Sequence, residues 1–560
     1  MSRYRWKLLP TLPLERLTWM HGVSPLLVQL LYNRGIADPN QYESFLAADE
    51  RLSFDPFLLP DIHPAVNRIY HALLRGEEIA VYGDFDVDGV TSTALLVEGL
   101  SLLEGRVRPY IPHRLEEGYG LNCAALESLH RQGVGLVITA DCGITAVAEV
   151  ERAKEIGLDI IITDHHSVPP CLPPALANID PKRPDSRYPC GHLAGVGVAF
   201  KLLQALFFSA GRQVPVEPFL ELVALGTVSD VVPLVEENRY LTKRGLELLA
   251  ATQRPGVRAL MSEAGLKPGR LETDDISWTI GPRLNAAGRL EHAMLSYKLL
   301  LATSDEEGKH LAGELERMNS RRQRLTEEVL DKARQQVQPV EPGCRLLMAG
   351  GDFHAGIVGI VAGRLVDEFY RPAIVLELGQ ETSRGSGRSI PEFDLVEALR
   401  ECQDLLTRFG GHSLAAGFTL PTGKVDCLSQ RLKEIAEARL AGLDLRSLLT
   451  IDAPLSLSKL NGQTYQSVQR LSPFGEGNPP PVFLSRRAQV ADCRCLGERG
   501  EHLELKLRTD KATWRGIGFG MGALAAEVTP RLDIVYNLAV DNWREQPVLQ
   551  LNILDFASSS

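Results

Sequence analysis

The sequence predicts an α/β protein: a parallel-sheet domain joined by a long helix to a second α/β domain, with a C-terminal all-β barrel of OB type. Three observations predict it. Short β-branched strands alternate with amphipathic helices from about residue 77, the alternation that builds a parallel sheet covered on both faces. A charged stretch from Ser304 to Val337 carries Leu311, Leu315, Met318, Leu325 and Val329 at helical spacing and almost no glycine. From about residue 450 the chain turns to short strands separated by turns, the spacing of a small barrel.

Taken in order, residues 1–50 read as a helical segment: LLVQLLYNRG ends a helix at Gly35, and Asp38-Pro39 starts another. Residues 51–303 form the first α/β domain with a helical extension. Its strands are EEIAVYGDF, RVRPYIP, GLVITAD and DIIITDHH, and the segments between them are apolar at helical spacing. Residues 195–300 read mainly as helix. The connecting helix takes 304–338, with Pro339 and Pro342 ending it. The second α/β domain, 339–448, opens with strand CRLLMAG, helix GIVGIVAGRLVDEF and strand AIVLEL. Residues 449–560 hold the barrel strands.

Composition sets bounds on function. The 560 residues suggest three or four domains, and 44% hydrophobic with 23% charged residues is the mix of a soluble globular protein. No stretch approaches the roughly 18 apolar residues of a membrane span, and the N-terminus has no secretory pattern. The nine cysteines are scattered, odd in number and without zinc-ribbon spacing, which points to a reduced cytoplasm. A net charge of −11 excludes a simple basic nucleic-acid binder. It leaves room for an enzyme whose acids hold cations and whose arginines line one groove.

Four segments place metal-type ligands where a strand or apolar run ends: Asp84-Phe85-Asp86-Val87-Asp88-Gly89, Asp141, Asp164-His165-His166, and Asp230. In parallel sheets, ligands collect at the carboxyl ends of the strands. Each segment has a plainer reading. An Asp after a strand often caps the next helix, and paired histidines are often only solvated. A calcium loop is excluded for the first run, because its twelfth position is Leu95 instead of an acid. Together the plainer readings weaken, since carboxylates crowded at one sheet edge repel unless cations neutralise them. A mixed Asp/His set suits Mn²⁺ or Mg²⁺, and two such ions about 4 Å apart serve phosphate displacement.

These residues also carry a resemblance. GDFDVDGVTSTALL, TADCGIT, TDHH and LGTVSDVVPL resemble the four motifs of the DHH phosphoesterases. EGYGL (117–121), LAGVGVAFKL (193–202), IGPRLNAAGRL (280–290) and SPFGEGNPPPVF (472–483) resemble the branch of that family that degrades single-stranded DNA, and the likeness runs over nearly the whole chain. It implies a DHH catalytic domain, a DHH-associated substrate-binding domain and an OB-like nucleic-acid-binding domain. It also implies that Asp84, Asp86, Asp141, His165 and Asp230 hold the metals. His166 is then a ligand or a polariser of substrate or water. Asp88 orients its neighbours, and Asp164 braces the histidine pair. Cys142 stands where the branch generally has Asn. Its side chain is expected to turn away from the ions, the alternative being a thiolate that alters metal preference.

For the nucleic acid, Arg283, Asn285 and Arg289 lie in a Gly/Ala-rich setting, or else simply begin a helix after Pro282. The run Arg384 to Ser389 offers small residues with exposed N–H groups and forked donors. Gly410, Gly411 and His412 resemble a glycine-rich motif of the DHH-associated domain, against the alternative of a tight turn. His354 precedes a helix N-terminus that could bind phosphate. The resemblance implies that Arg114, Ser386 and Arg388 hold a terminal 5′-phosphate. Phe474, Phe483, Trp514 and Phe519 are stacking candidates in the barrel, though most read as core. The implied activity is 5′-to-3′ hydrolysis of single-stranded DNA to mononucleotides with two Mn²⁺ or Mg²⁺ ions, in DNA repair and recombination. A single-strand binding protein and a RecQ-type helicase are the implied partners. Two rival readings are a hydrolase of short oligonucleotides or cyclic dinucleotides, and a binding protein with a degenerate site.

Overall fold

The computed structural model describes residues 2–13, 23–114, 116–118, 120–213, 216–267, 269–338, 343–510, 512–541 and 547–559, with the side chains at 39 and 40 excepted. They form two compact units, residues 54–232 with 244–445, and residues 1–53 with 233–243 and 446–560.

In the larger unit, β1 (Glu78–Gly83), β2 (Arg106–Tyr110), β3 (Val134–Ala140), β4 (Asp159–Thr163) and β5 (Ala177–Ile179) pair in parallel in the order β2-β1-β3-β4-β5. The runs Ile79–Tyr82, Leu136–Ile138 and Ile160–Ile162 are buried throughout, as continuous β-branched strands of a sheet covered on both faces should be. The sequence reading had no counterpart to β5, because three residues, ANI, are too few to show a period. Helix α1 (Val87–Leu102) is buried on almost every side and packs on α2 (Gly195–Ser209) and α3 (Val216–Ser229). The approach is close enough that a Cβ on Gly99 would lie 2.2 Å from Leu203 Cδ1. A π-helical turn, Ile276–Ile280, then leads into α4 (Gly281–Leu290).

The connecting helix α5 spans Asp305–Val337. Ser304 caps it, its Oγ accepting from Glu307 N at 3.2 Å, and three acids in the first turn complement the positive helix end. Leu311, Leu315 and Val329 are buried, and Met318 and Leu325 half-buried. Pro339 and Pro342 lie outside the described residues. Beyond it, β6 (Leu347–Gly351), β7 (Ala373–Glu377), β8 (Thr382–Arg388), β9 (Arg408–His412) and β10 (Ala415–Pro421) form a mixed sheet ordered β9-β10-β8-β7-β6. Helix α6 (Ala355–Phe369) packs on β7 and β8.

In the smaller unit, β11 (Phe483–Leu496), β12 (His502–Arg508), β13 (Thr513–Gly518), β14 (Arg531–Asp541) and β15 (Val548–Ser558) run in the order β11-β12-β13-β15-β14, and β11 pairs back onto β14. That closes the barrel and removes its free edges. Phe483, Leu505, Ile534, Tyr536 and Leu551 fill its core together with Leu27, Leu30 and Leu31 of the helix Pro25–Asn33. The helical reading of residues 1–50 is corrected at one end. Arg5–Leu8 is a strand that pairs in parallel with Leu448–Ile451. Pairing over more than 440 residues leaves no trace in local periodicity. Arg239 sits buried in this unit, donating to the carbonyls of Phe45 and Ser472 at 2.8 and 2.7 Å. Of the barrel aromatics, Phe483 is core and Trp514 is tied to Leu457 O at 3.1 Å, while Phe519 is exposed. No helix among the described residues is long and apolar enough to cross a membrane.

Candidate metal centre

The site is built by register. Gly83 pairs with Ala140, Ile138 with Ile161, and Thr163 with Ile179. The next residue on each strand is an aspartate: Asp84, Asp141, Asp164 and Asp180. The ladder continues into this row, with Asp141 N donating to Thr163 O and Asp164 N to Ile179 O, each at 3.1 Å. Four parallel strands therefore deliver four carboxylates side by side at the carboxyl edge of the sheet.

Local backbone aims them. Asp141 has φ +65°, a left-handed conformation that Asp tolerates better than most residues. A Cβ on Gly195 would lie 2.7 Å from its Oδ1, so glycine there clears the space that the carboxylate fills. Asp230 directly follows α3, and Val231 after it is held at φ +60°. For a β-branched residue that conformation costs on the order of 1–3 kcal/mol and persists only when its surroundings impose it. Asp86 caps α1, its Oδ1 accepting from Gly89 N at 3.1 Å, which turns the positive helix end toward the cluster. Asp88, buried, accepts from Gly195 N and Val196 N at 2.6 and 2.9 Å and so fixes the start of α2. Asp164 accepts from Ile144 N, His165 N and His166 Nδ1 at 2.9, 2.7 and 2.7 Å.

The side chains converge. His165 Nε2 lies 3.1 Å from Asp141 Oδ1, 3.5 Å from Asp230 Oδ2 and 3.7 Å from Asp88 Oδ2, and His166 Nδ1 lies 3.9 Å from Asp141 Oδ1. Three groups each bring their ligand atoms within 4.8 Å of one another: Asp84, Asp86 and Asp141; Asp141, His165 and His166; and Asp88, His165 and Asp230. Asp141 Oδ1 and His165 Nε2 are buried with no hydrogen-bond partner. Helix capping does not account for this. A cap stabilises by about 1 kcal/mol, whereas two carboxylates about 4 Å apart repel by about 4 kcal/mol at an effective dielectric near 20. A buried unpaired carboxylate oxygen beside an unpaired imidazole nitrogen, with further carboxylates converging on them, is a donor set for hard divalent cations, and the residues fit Mn²⁺ or Mg²⁺.

Titration agrees. Burial, and then Asp86, push Asp84 and Asp230 up to about 7. Burial, and then the charge of His166, hold His165 down at about 3, so it is neutral and free to ligate at physiological pH. For His166 burial opposes the charge, but the bond to Asp164 and nearby carboxylates overcome it and raise the group to about 9. Below pH 7 a cation must displace protons from Asp84 and Asp230. Mn²⁺ affinity should therefore rise from pH 5 to 7 by up to about tenfold per unit for each of the two, then flatten. Calorimetry in buffers of different ionisation enthalpy should record proton release at pH 6 that has shrunk by pH 8. An affinity flat across that range would contradict the assignment.

A basic cluster adjoins the acids. The Arg114 guanidinium lies 4.4 Å over the Phe85 ring, and its Nη1 is buried without a hydrogen-bond partner. Arg388 Nη1 donates to Ser386 Oγ at 3.3 Å. Burial, and then Arg114, lower Arg388, and burial with the charges of Arg114, Arg322 and Arg388 pushes Arg289 down to about 10. Guanidiniums held against one another like this favour a dianion between them. Asn285 joins from α4, its Oδ1 accepting from Val87 N at 3.2 Å.

Other expected groups are engaged elsewhere. Arg283 is paired with Glu316 at 2.6 Å and donates to Thr279 O, so it braces α4 against α5. His354 is the cap of α6, its Nδ1 accepting from Gly356 N at 3.0 Å. The run 384–388 is a central strand, so its N–H groups serve the ladders to β7 and β10 and offer no phosphate cradle. Gly410, Gly411 and His412 form strand β9 at the sheet edge, with His412 exposed. Tyr119 of EGYGL lies outside the described residues. Cys142 Sγ points to Tyr82 O at 3.7 Å, and burial pushes its thiol well up, which keeps it protonated. The sequence reading missed Asp180, although ANID ends on the same apolar-then-Asp pattern as the other three strands.

An acid-and-imidazole edge on a parallel sheet, with a second α/β domain supplying arginines to it, defines a phosphoesterase of the DHH class. Family models agree: the DHH family N-terminal domain matches residues 78–227, the DHHA1 domain 343–438 and the RecJ OB domain 451–555. The chain belongs to the RecJ family. It is 39% identical to the single-stranded-DNA-specific exonuclease RecJ of Bacillus subtilis over 97% of this chain and 69% of that protein. With the RecJ of Salmonella typhimurium it shares 34% identity, over 95% of each. The crystal structure of Thermus thermophilus RecJ with Mn²⁺ superposes with a TM-score of 0.87 at 32% identity, covering all of this chain and 80% of that one. The same protein has also been solved with Mg²⁺.

Proposed function

We propose that the protein is a single-stranded-DNA exonuclease that hydrolyses successive phosphodiester bonds from the 5′ end and releases mononucleotides. Asp84, Asp86, Asp141, His165 and Asp230 hold two Mn²⁺ or Mg²⁺ ions. The observation that carries this reading is the register-aligned edge of carboxylates, with the buried, unpaired Asp141 Oδ1 beside a neutral imidazole, in a chain that matches a RecJ protein over 95% of each. Bound cations supply Lewis-acid charge at the scissile phosphate and an acidified water.

The chain's own residues do the rest. Asp164 holds His166 by Nδ1, which leaves Nε2 to donate to a phosphoryl oxygen. Asp88 pins α2 and faces His165, keeping the imidazole in place as charge changes around it. Arg114, Ser386 and Arg388 take the terminal 5′-phosphate, and Arg289 and Asn285 line the same region; this pocket sets the polarity. Arg283, His354, Gly410, Gly411 and His412 are left with structural or peripheral parts. The barrel grips the strand further along. In DNA repair and recombination, a RecQ-type helicase and a single-strand binding protein are the proposed partners, because an enzyme confined to single strands depends on others to open and extend them.

Digestion of a single strand labelled at either end, and of the same sequence as a duplex, tests the reading in Mn²⁺ buffer. The expected result is labelled mononucleotide from the 5′ end of the single strand alone. Release from the 3′ end would overturn the polarity, and internal fragments would overturn the exonuclease mode.

A further inference from the structure

On the outside of the barrel, several cations are matched in place. Lys506 on β12 pairs with Asp492 on β11 at 2.8 Å. Glu504 on β12 is buried between Arg494 and Arg515, and Arg515 also reaches Asp541 at 2.6 Å. There Lys506, Arg494 and Arg515 stand against Asp492, Glu504 and Asp541, and the charges cancel.

One row is arranged otherwise. Gln489 on β11 lies opposite Arg508 on β12 and opposite Arg531 on β14, and Arg508 lies opposite Thr513 on β13. Residues directly opposite one another in antiparallel strands share a face. All four are exposed, while their strand neighbours Ala488, Leu507 and Leu532 are buried in the core. The pleat therefore presents Thr513, Arg508, Gln489 and Arg531 as one outward row across four strands. A bulge thickens it: Arg486 and Arg487 together stand against Asp533 alone, between the pairs Ser485 with Ile534 and Ala488 with Leu532. Arg487 is held at φ +54° and both arginines are exposed, as in bulges that re-aim side chains at the end of a barrel. Asp533 fixes this bulge, its Oδ1 accepting from Arg487 N at 2.8 Å and Ser559 Oγ at 2.9 Å, with Oδ2 4.0 Å from Arg486 Nη1. The acids on these segments are Asp533 and, in the turn after Arg508, Asp510. Four exposed arginines thus outnumber them, in a chain whose net charge is −11.

The chemistry of the row selects its ligand. Protein segments dock through apolar or aromatic anchors, and the row has none. Phosphate contacts need only cations and neutral donors, which the guanidinium forks, Gln489 and Thr513 supply. The exposed Phe519 follows β13 at its other end, so the row itself holds no ring for a base. We propose that this arginine row and its bulge bind the sugar–phosphate backbone of single-stranded DNA without regard to sequence, the face with which the barrel holds the strand. This rests on the proposed action on single strands.

The test measures binding of the full chain to a long labelled oligothymidylate in EDTA over a range of salt. It compares wild type with Arg508→Ala/Arg531→Ala, Arg508→Lys/Arg531→Lys and Lys506→Ala. The alanine pair should raise Kd by roughly 3- to 20-fold. Its dependence of log Kd on log salt should be shallower by about 1.4, since each phosphate contact on a single strand contributes about 0.7. The lysine pair should stay within about threefold of wild type and keep the full slope, because counterion release counts charge. Lys506→Ala removes a cation already matched by Asp492 and should stay within about twofold. Should the alanine pair melt early, Arg531→Gln alone replaces it, with a slope change of about 0.7. Wild-type affinity and slope in the alanine pair overturn the proposal. So does an equal loss in Lys506→Ala, which would make the effect one of overall charge. Poly-L-glutamate bound by wild type and lost by the alanine pair, with the strand still held, would give the surface to an acidic protein instead. Wild type that holds no strand at all would fail the underlying reading, and this surface with it.

Discussion

Asp141→Asn is expected to abolish cleavage, by roughly 10³-fold or more, while raising the melting temperature of the metal-free protein. Asp141 stands at the centre of the site. Its Oδ1 lies within 4 Å of a ring nitrogen of each histidine, and burial together with Asp88, Asp86, Asp230 and Asp84 pushes its carboxyl far up. Without cations it is a repelled group held in place by the fold. Asn keeps the size and tolerates φ +65°, and Gly195 still leaves it room. The substitution thus removes charge with little change of shape, and the metal-free protein gains. The metal-loaded protein loses, because the anionic carboxylate common to two of the ligand groups becomes a neutral amide. A ligand at a hundred times its Kd stabilises by about 2.7 kcal/mol, and that Mn²⁺-dependent rise should shrink or vanish in the variant. Melting with and without Mn²⁺ checks both signs. A variant that still gains fully from Mn²⁺ would remove Asp141 from the ligand set.

Arg388→Ala should lower kcat/KM on a 5′-phosphorylated strand by roughly 10- to 100-fold, the worth of a charge-assisted contact of about 1.5–3 kcal/mol. A 5′-hydroxyl strand should lose far less, so the preference between the two ends collapses. The reason is that Arg388 and Arg114 press on each other in a buried setting. A dianionic phosphate relieves both, whereas a hydroxyl relieves neither. Rates on the two strands, for wild type and variant, decide it. An equal loss on both would make Arg388 a general backbone contact and would leave polarity unexplained.

Much of this site could be read from the residues, and the limits have physical causes. Asp84, Asp141 and Asp164 were visible because each follows an apolar, β-branched run long enough to read as a buried strand. Asp180 ends a run of three and reads as an ordinary Asp-Pro turn. The run around Ser386 suggested a phosphate loop by composition. In the fold its glycines serve packing instead, since a Cβ on Gly385 would lie 2.2 Å from the Phe418 ring and one on Gly387 2.6 Å from Leu395. His354 and Arg283 have the right chemistry for phosphate, yet local bonds claim them. The pairing of Arg5–Leu8 with Leu448–Ile451 is set by distant chain, which no window of sequence displays.

Anomalous diffraction at the manganese edge from crystals soaked in Mn²⁺ tests the central claim most directly. The account predicts two peaks about 3.5–4 Å apart, enclosed by Asp84, Asp86, Asp141, His165 and Asp230, and their loss in Asp141→Asn. A single peak, or peaks lying away from the carboxyl edge of the parallel sheet, would contradict it.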